Sequence, residues 1–242
     1  MNLKKTVETE YESIDSSLTK EIQITEKEHF LADRFRVWNT DEGSQYISAQ
    51  KILKKISYTK EDITAFSLYL SYLENEIDLS FAGIFLSVLI NEHYEKTEEQ
   101  NENKKKNTFL PYKILTSHLE TEIDNIGFRN NGAQIEITGS VGSGLGAYMQ
   151  AGEIIVYGNC NSSAGFCMRG GTINIKGRAG DAFGNSLQGG TLFAEETGIL
   201  CGENMQSGII HVAEKYSFGK HGMLLAAGGE IYFNNEKKYP IE

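Results

Sequence analysis

The stretch Gly170-Gly171-Thr172-Ile173-Asn174-Ile175-Lys176-Gly177-Arg178-Ala179-Gly180-Asp181-Ala182-Phe183-Gly184-Asn185-Ser186-Leu187-Gln188 is one unit of a repeat. Stepping from Ile173 by about 19 residues in either direction gives Ile135, Ile154, Ile173, Leu192, Ile210 and Ile231. Two residues later the column reads Ile137, Val156, Ile175, Ala194, Val212 and Phe233. Between them lie Glu136, Ile155, Asn174, Phe193, His211 and Tyr232, mostly polar or amphipathic. Two inward positions flanking an outward one is the alternation of a short strand.

Glycines fall in columns after each strand. Gly139, Gly158 and Gly177 form one, and Gly142, Asn161 and Gly180 the next. Gly146, Gly165, Gly184, Gly202 and Gly222 form a third, followed three residues on by Met149, Met168, Leu187, Met205 and Leu225. A strand of this length cannot close a core alone, so successive units must stack and share one. The glycine columns place turns that need positive φ, or close backbone approach, at one level of every coil. Asn161 fits its column because Asn tolerates the left-handed region better than other residues. Parallel strands joined by preferred right-handed crossovers give the expected fold: a right-handed parallel β-helix of about six coils.

Glycine also divides the chain. Only Gly43 and Gly83 of the 25 glycines precede residue 121. The first part reads as mainly helical over 1–96, with a polar linker at 97–107 and the β-helix with an N-terminal cap segment over 108–242. Residues 44–57 carry Tyr46, Ile47, Ile52, Leu53 and Ile56 near helical spacing. Thr59 precedes Lys60-Glu61-Asp62 as an N-cap, and Ile63, Phe66, Leu70 and Leu73 follow on one face. A third helix is expected from Leu79 to about Glu95, although Ser80 and Ser87 interrupt its apolar run. Glu21–Thr25 and Phe35–Trp38 alternate like short strands. Leu115, Leu119, Ile123 and Ile126 suggest a helical cap over the first coil, whereas no helix is expected beyond Phe233. There Lys237, Lys238 and Pro240 blunt the last edge.

The repeat residues resemble a known family. Gly139-x-x-Gly142-x-x-x-Gly146 and Gly177-x-x-Gly180-x-x-x-Gly184, each with Met or Leu three residues on, are similar to the GXGXG β-helix. That is the C-terminal domain of the glutamate synthase large subunit, shared with one of the subunits of formylmethanofuran dehydrogenase. The resemblance covers about residues 121–235. It implies a domain without catalytic residues that spaces and docks catalytic domains or subunits. The rest of a glutamate synthase is not seen: no Cys follows Met1, no region is long enough for a flavin barrel, and no cysteine cluster suits an iron–sulfur centre.

Chemistry-bearing residues are few. Gly142-Ser143-Gly144-Leu145-Gly146 lacks the spacing and the following helix of a dinucleotide fingerprint. Cys160, Cys167 and Cys201 lack paired metal-ligand spacing and read as small packed hydrophobes. His211 and His221, with Glu203 and Asp181, could meet across coils, yet strand and turn positions favour solvated surface roles. No GxSxG motif anchors a nucleophile. The formal charge of −10 disfavours nucleic acid and anionic lipid as partners. No apolar run reaches a membrane span, no secretory signal is read at Met1–Lys5, and three cysteines make no disulfide framework, so the cytoplasm is expected. No cofactor or metal site is expected. Outward Ile155, Tyr157, Phe193 and Tyr232 are the candidate interface. The expected role is a non-catalytic scaffold or docking protein with protein partners, as a homo-oligomer or hetero-complex. The alternative is an accessory subunit whose partners are the catalytic subunits of a formylmethanofuran dehydrogenase-like or glutamate synthase-like redox complex.

Overall fold

The computed structural model describes residues 26–38, 45–74, 78–101, 110–215 and 227–239. The described N-terminal part forms helices α1 (Glu26–Trp38), α2 (Gln45–Leu53), α3 (Lys60–Leu73) and α4 (Ala82–Asn101). In α1, Leu31, Phe35 and Trp38 share a buried face while Val37 is 66% exposed. That overturns the strand expected over Phe35–Trp38, where Phe35 and Val37 would have faced the same way. A four-residue window is too short to separate a period of 2 from one of 3.6. The strand expected at Glu21–Thr25 lies outside the described residues.

Helix α2 buries Ala49 and Leu53 but leaves Ile47 exposed. In α3 the Thr59 hydroxyl accepts from Asp62 N at 3.2 Å, and Asp62 Oδ2 accepts from Thr59 N at 2.8 Å, closing a capping box. Phe35, Trp38, Phe66 and Phe85 form the aromatic centre, with ring centroids 5.3–5.8 Å apart. Helix α4 continues to Asn101 and absorbs the first half of the expected linker, because Glu98, Glu99 and Gln100 are good helix formers.

The second half is a parallel β-solenoid of about six turns. Strands β1 (Tyr112–Leu115), β2 (Asn131–Thr138), β3 (Ala151–Tyr157), β4 (Thr172–Ala179), β5 (Thr191–Thr197), β6 (Ile209–Lys215) and β7 (Glu230–Phe233) pair in chain order. The register reproduces the sequence columns: Ile135, Ile154, Ile173, Leu192, Ile210 and Ile231 are successive partners. Ile137, Val156, Ile175, Ala194, Val212 and Phe233 form the adjoining row. All of these are buried except Phe233, which is half-buried. Met149, Met168, Leu187 and Met205 line the opposite wall, fully buried.

Gly184 shows why the third glycine column is obligatory. Its φ is +69°, and a Cβ there would lie 2.5 Å from Ile210 Cδ1 in the inner row. The second column works differently. Gly180 has no positive φ; a Cβ would strike Asn161 O at 2.6 Å. Asn161 is likewise not left-handed, so its presence reflects an outward side chain, which donates to Glu122 Oε2 at 2.5 Å. Gly198 sits directly on Gly180, to whose carbonyl its N–H donates at 3.1 Å. Gly222 lies outside the described residues.

Both ends differ from expectation. Residues 110–128 do not form a helical cap. β1 pairs Tyr112 with Ile135 and Ile114 with Ile137, and buried Ile123 and Ile126 complete a further coil. The longer step from Tyr112 to Ile135 hid this coil from a 19-residue period. At the far end, β8 (Glu236–Tyr239) pairs antiparallel with β7 through Asn234 and Asn235, with φ of 49° and 62°. Two adjacent positive φ values make the hairpin turn that matches strand twist, and Asn accepts them. Buried apolar residues of both halves, from Leu31 to Ile231, form one contiguous cluster.

The register predicts unequal costs on neighbouring residues. Ile173→Ala should lose about 2–5 kcal/mol in urea unfolding, and Asn174→Ala no more than about 0.5 kcal/mol. Gly198→Val should destabilise as severely as Gly180→Val; a melting temperature for Gly198→Val near wild type would contradict the shared column.

Candidate functional site

Two regions concentrate polar or aromatic side chains. The first is the outer face of the sheet. Phe193, His211 and Tyr232 are successive partners in the outward row. Their rings stack along the solenoid axis, Phe193 on His211 at 4.9 Å and 6°, His211 on Tyr232 at 4.9 Å and 19°. The parallel register alone imposes this, since each ring sits one strand spacing from the next. Tyr232 donates its hydroxyl to Glu230 Oε2 at 2.8 Å, and Lys237 from β8 reaches Glu230 Oε1 at 2.6 Å. Ile155 lies in the same row two strands before Phe193, and Tyr157 is outward on β3. Burial, followed by Glu136 and Glu153, raises the Tyr157 phenol pKa. Faces of the stacked rings are largely covered by one another, so the row offers ring edges and flat apolar area.

The second region is the junction of the helices with the first coil, which sequence reasoning did not find. Helix α3 runs along the outer edge of β1. Thr64 Oγ1 donates to Lys113 O at 2.8 Å, Ser67 Oγ accepts from Leu115 N at 3.1 Å, and Lys60 Nζ donates to Leu110 O. Helix α4 covers the turn side. Gly83 allows close approach, a Cβ there overlapping Asp124 O. One turn on, Ser87 Oγ accepts from Phe128 N at 3.0 Å. Asn91 Nδ2 then reaches Phe128 O at 3.3 Å and Arg129 O at 3.2 Å. Gly83, Ser87 and Asn91 are spaced four apart, so one helical stripe addresses consecutive backbone groups of the coil. The signal was present in the sequence as the serine interrupting the apolar run of α4.

Beside this stripe, His93 Nδ1 lies 2.9 Å from the Tyr112 hydroxyl, and Tyr58 donates to Leu89 O at 3.1 Å. Burial raises both phenols well above the ordinary tyrosine range. Lys60 Nζ stands 4.3 Å from the Tyr112 ring centroid, and burial lowers its ammonium pKa. Two recesses open here. One of about 80 Å³ is lined by Lys60, Tyr94, Leu110, Tyr112, Gly132 and Gln134. The other, of about 220 Å³, is lined by Ile56, Ser57, Tyr58, His93, Lys96 and Thr97.

The remaining candidates take structural positions. Cys160 and Cys201 are buried, and burial pushes each thiol up to about 12, which leaves them neutral and poorly nucleophilic. Cys160 Sγ donates to Gly142 O at 3.2 Å. Cys167 is half-buried at a left-handed turn position, φ 52°. Asp181 accepts from Ile199 N at 2.9 Å and Glu203 from Asn185 Nδ2 at 2.9 Å, both within turns. His221 lies outside the described residues. Among the described residues no three His, Cys, Asp or Glu side chains are grouped to hold a metal ion. No described helix is long and apolar enough to cross a membrane. No family model, curated protein or solved structure matches the chain.

His211 gives the stack a pH response. Burial lowers its pKa below the ordinary 6.5, so on acidification the unfolded chain binds the proton first. Its contribution to stability is full above pH 6.5 and is lost as pH falls through the lowered folded value. His211→Phe, which keeps a ring in the row, should therefore flatten the fall in melting temperature below pH 6.5. A variant with the wild-type slope would dissociate the stack from that response.

Proposed function

We propose that the chain is a non-catalytic scaffold that docks protein partners through the outer face of its solenoid. The observation that supports this reading best is the Phe193–His211–Tyr232 stack. It holds aromatic side chains rigidly on an outward strand face, with Phe193 36% exposed. Rigid aromatics present contact area at small entropic cost on binding. The coils beneath are filled with apolar side chains, with Cys160 and Cys201 buried among them and Cys167 half-buried at a turn, so their interior offers a reactant no room. The partner is a second copy or another chain carrying the catalysis. The resemblance of the glycine columns to the GXGXG β-helix favours, as a second reading, an accessory subunit of an oxidoreductase assembly.

Light scattering and capture from native lysate test the proposal. A mass above the 27.0 kDa of one chain, or a captured partner, should be seen for wild type and lost in Phe193→Glu/Tyr232→Glu with the melting temperature retained. A wild-type monomer that captures nothing, or an assembly indifferent to the double substitution, overturns docking through this face. Capture of a flavin- or metal-containing enzyme would select the second reading.

A further inference from the structure

The larger recess at the junction lies apart from the stacked rings, and its lining is chemically specific. Its volume of about 220 Å³ far exceeds the roughly 10–15 Å³ that one water requires. Lys96 makes no ion pair among the described residues; its ammonium stands 5.7 Å from the Tyr58 ring centroid. Three carboxylates on these helices are engaged or exposed, while Glu98, further along α4, has a buried Oε1 with no hydrogen-bond partner among the described residues. Glu92 accepts from Gln50 Nε2 at 2.7 Å and lies 3.9 Å from Lys54 Nζ, Asp62 closes the α3 capping box, and Glu61 is on the exposed first turn of α3. His93 has Nδ1 against the Tyr112 hydroxyl, while its Nε2 makes no hydrogen bond among the described residues. In the protonated ring both nitrogens donate, so Nδ1 can keep Tyr112 while Nε2 serves a ligand.

We propose that this recess is a binding site for a small oxyanion, phosphate or carboxylate, held between Lys96 Nζ and His93 Nε2. An anion suits these groups because it offers the lysine a counter-ion and accepts a charge-assisted hydrogen bond from the imidazolium. It also relieves a local conflict. The His93 pKa is lowered by burial first and then by Lys60; Glu61 opposes this, and Lys96 lowers it further against Asp62. Adding negative charge offsets both lysines and raises it. Binding is therefore coupled to proton uptake, and affinity rises as pH falls through the bound-state value of His93. The site stands on the recess and does not depend on the scaffold reading.

Ring NMR of His93 in the full chain tests this, with inorganic phosphate and succinate as separate probes and chloride holding ionic strength constant. A saturable shift of His93, with its pKa raised and His211 unmoved, is expected with at least one probe, and the tighter one identifies the ligand class. Lys96→Met should weaken that binding about ten- to a hundredfold. Without any anion, the same substitution should raise the His93 pKa while leaving the melting temperature near wild type. No saturable shift with either probe, an equal response to chloride, or a His93 pKa indifferent to Lys96→Met overturns the assignment.

Discussion

A β-coil at the end of a stack presents backbone N–H and C=O groups that no neighbouring coil can pair, and burying them unmet costs about 1–3 kcal/mol each. The arrangement of the first half follows from that requirement. Thr64 and Ser67 of α3 meet the edge of β1, and Ser87 and Asn91 of α4 meet the turns. Each of these polar residues is buried on a helix face otherwise filled by Phe66, Leu70, Phe85 or Leu89. The hydroxyls of Ser67 and Ser87 donate within their own helices, to Thr64 O and Gly83 O, and use their remaining lone pairs to accept from the coil. The edge of the coil is thus met by helices whose apolar faces join its interior, and apolar side chains of both halves make one core rather than two.

Within the solenoid, a second mutual requirement sets the coil. Inner-row isoleucines extend across the section until their Cδ1 atoms reach the opposite turn. Room for them exists because the residue there has no Cβ: Gly146 faces Ile173, Gly184 faces Ile210 and Gly202 faces Ile231. Left-handed residues flank this glycine on alternate positions, as Ala182 and Ser186 flank Gly184, with their own side chains turned outward to tolerate variety. Only the inward position is restricted to glycine. Its period is therefore visible in the sequence, while the equally left-handed flanking columns, with Ser163, Ala182 and Leu200 in one and Tyr148, Cys167 and Ser186 in the other, are not.

That contrast accounts for what was legible. Fold class and strand register could be read because a repeated constraint writes the same letters many times. The terminal coils could not, since each occurs once and departs from the period: Tyr112 to Ile135 is longer than a coil, and Asn234-Asn235 turns the chain back. In α1, Phe35 and the exposed Val37 mimic alternation over a window of four residues. The His93–Tyr112 contact joins residues on different elements with a non-repeating partner choice, and neither residue carries a motif. Outward Phe193 and Tyr232 were legible as a row, but their joining through His211 into one stack required the register to be exact to the residue.

The two ends of the solenoid are protected by different physics, and the difference bears on where partners can approach. At the N-terminal end, helices bury the edge beneath apolar residues and hydroxyls, and displacing them would open the shared core. At the C-terminal end, β8 adds a single strand whose side chains include Glu236, Lys237 and Lys238, with Lys237 tied to Glu230 across the hairpin. Charged side chains discourage another edge from pairing there while leaving the adjacent sheet face open. Tyr232, beside this ion pair, closes the aromatic row on that face. A partner meeting the C-terminal half thus finds edge addition opposed by lysines and an ordered aromatic surface next to them. Among the described residues, this end disfavours strand addition more than packing against the sheet face.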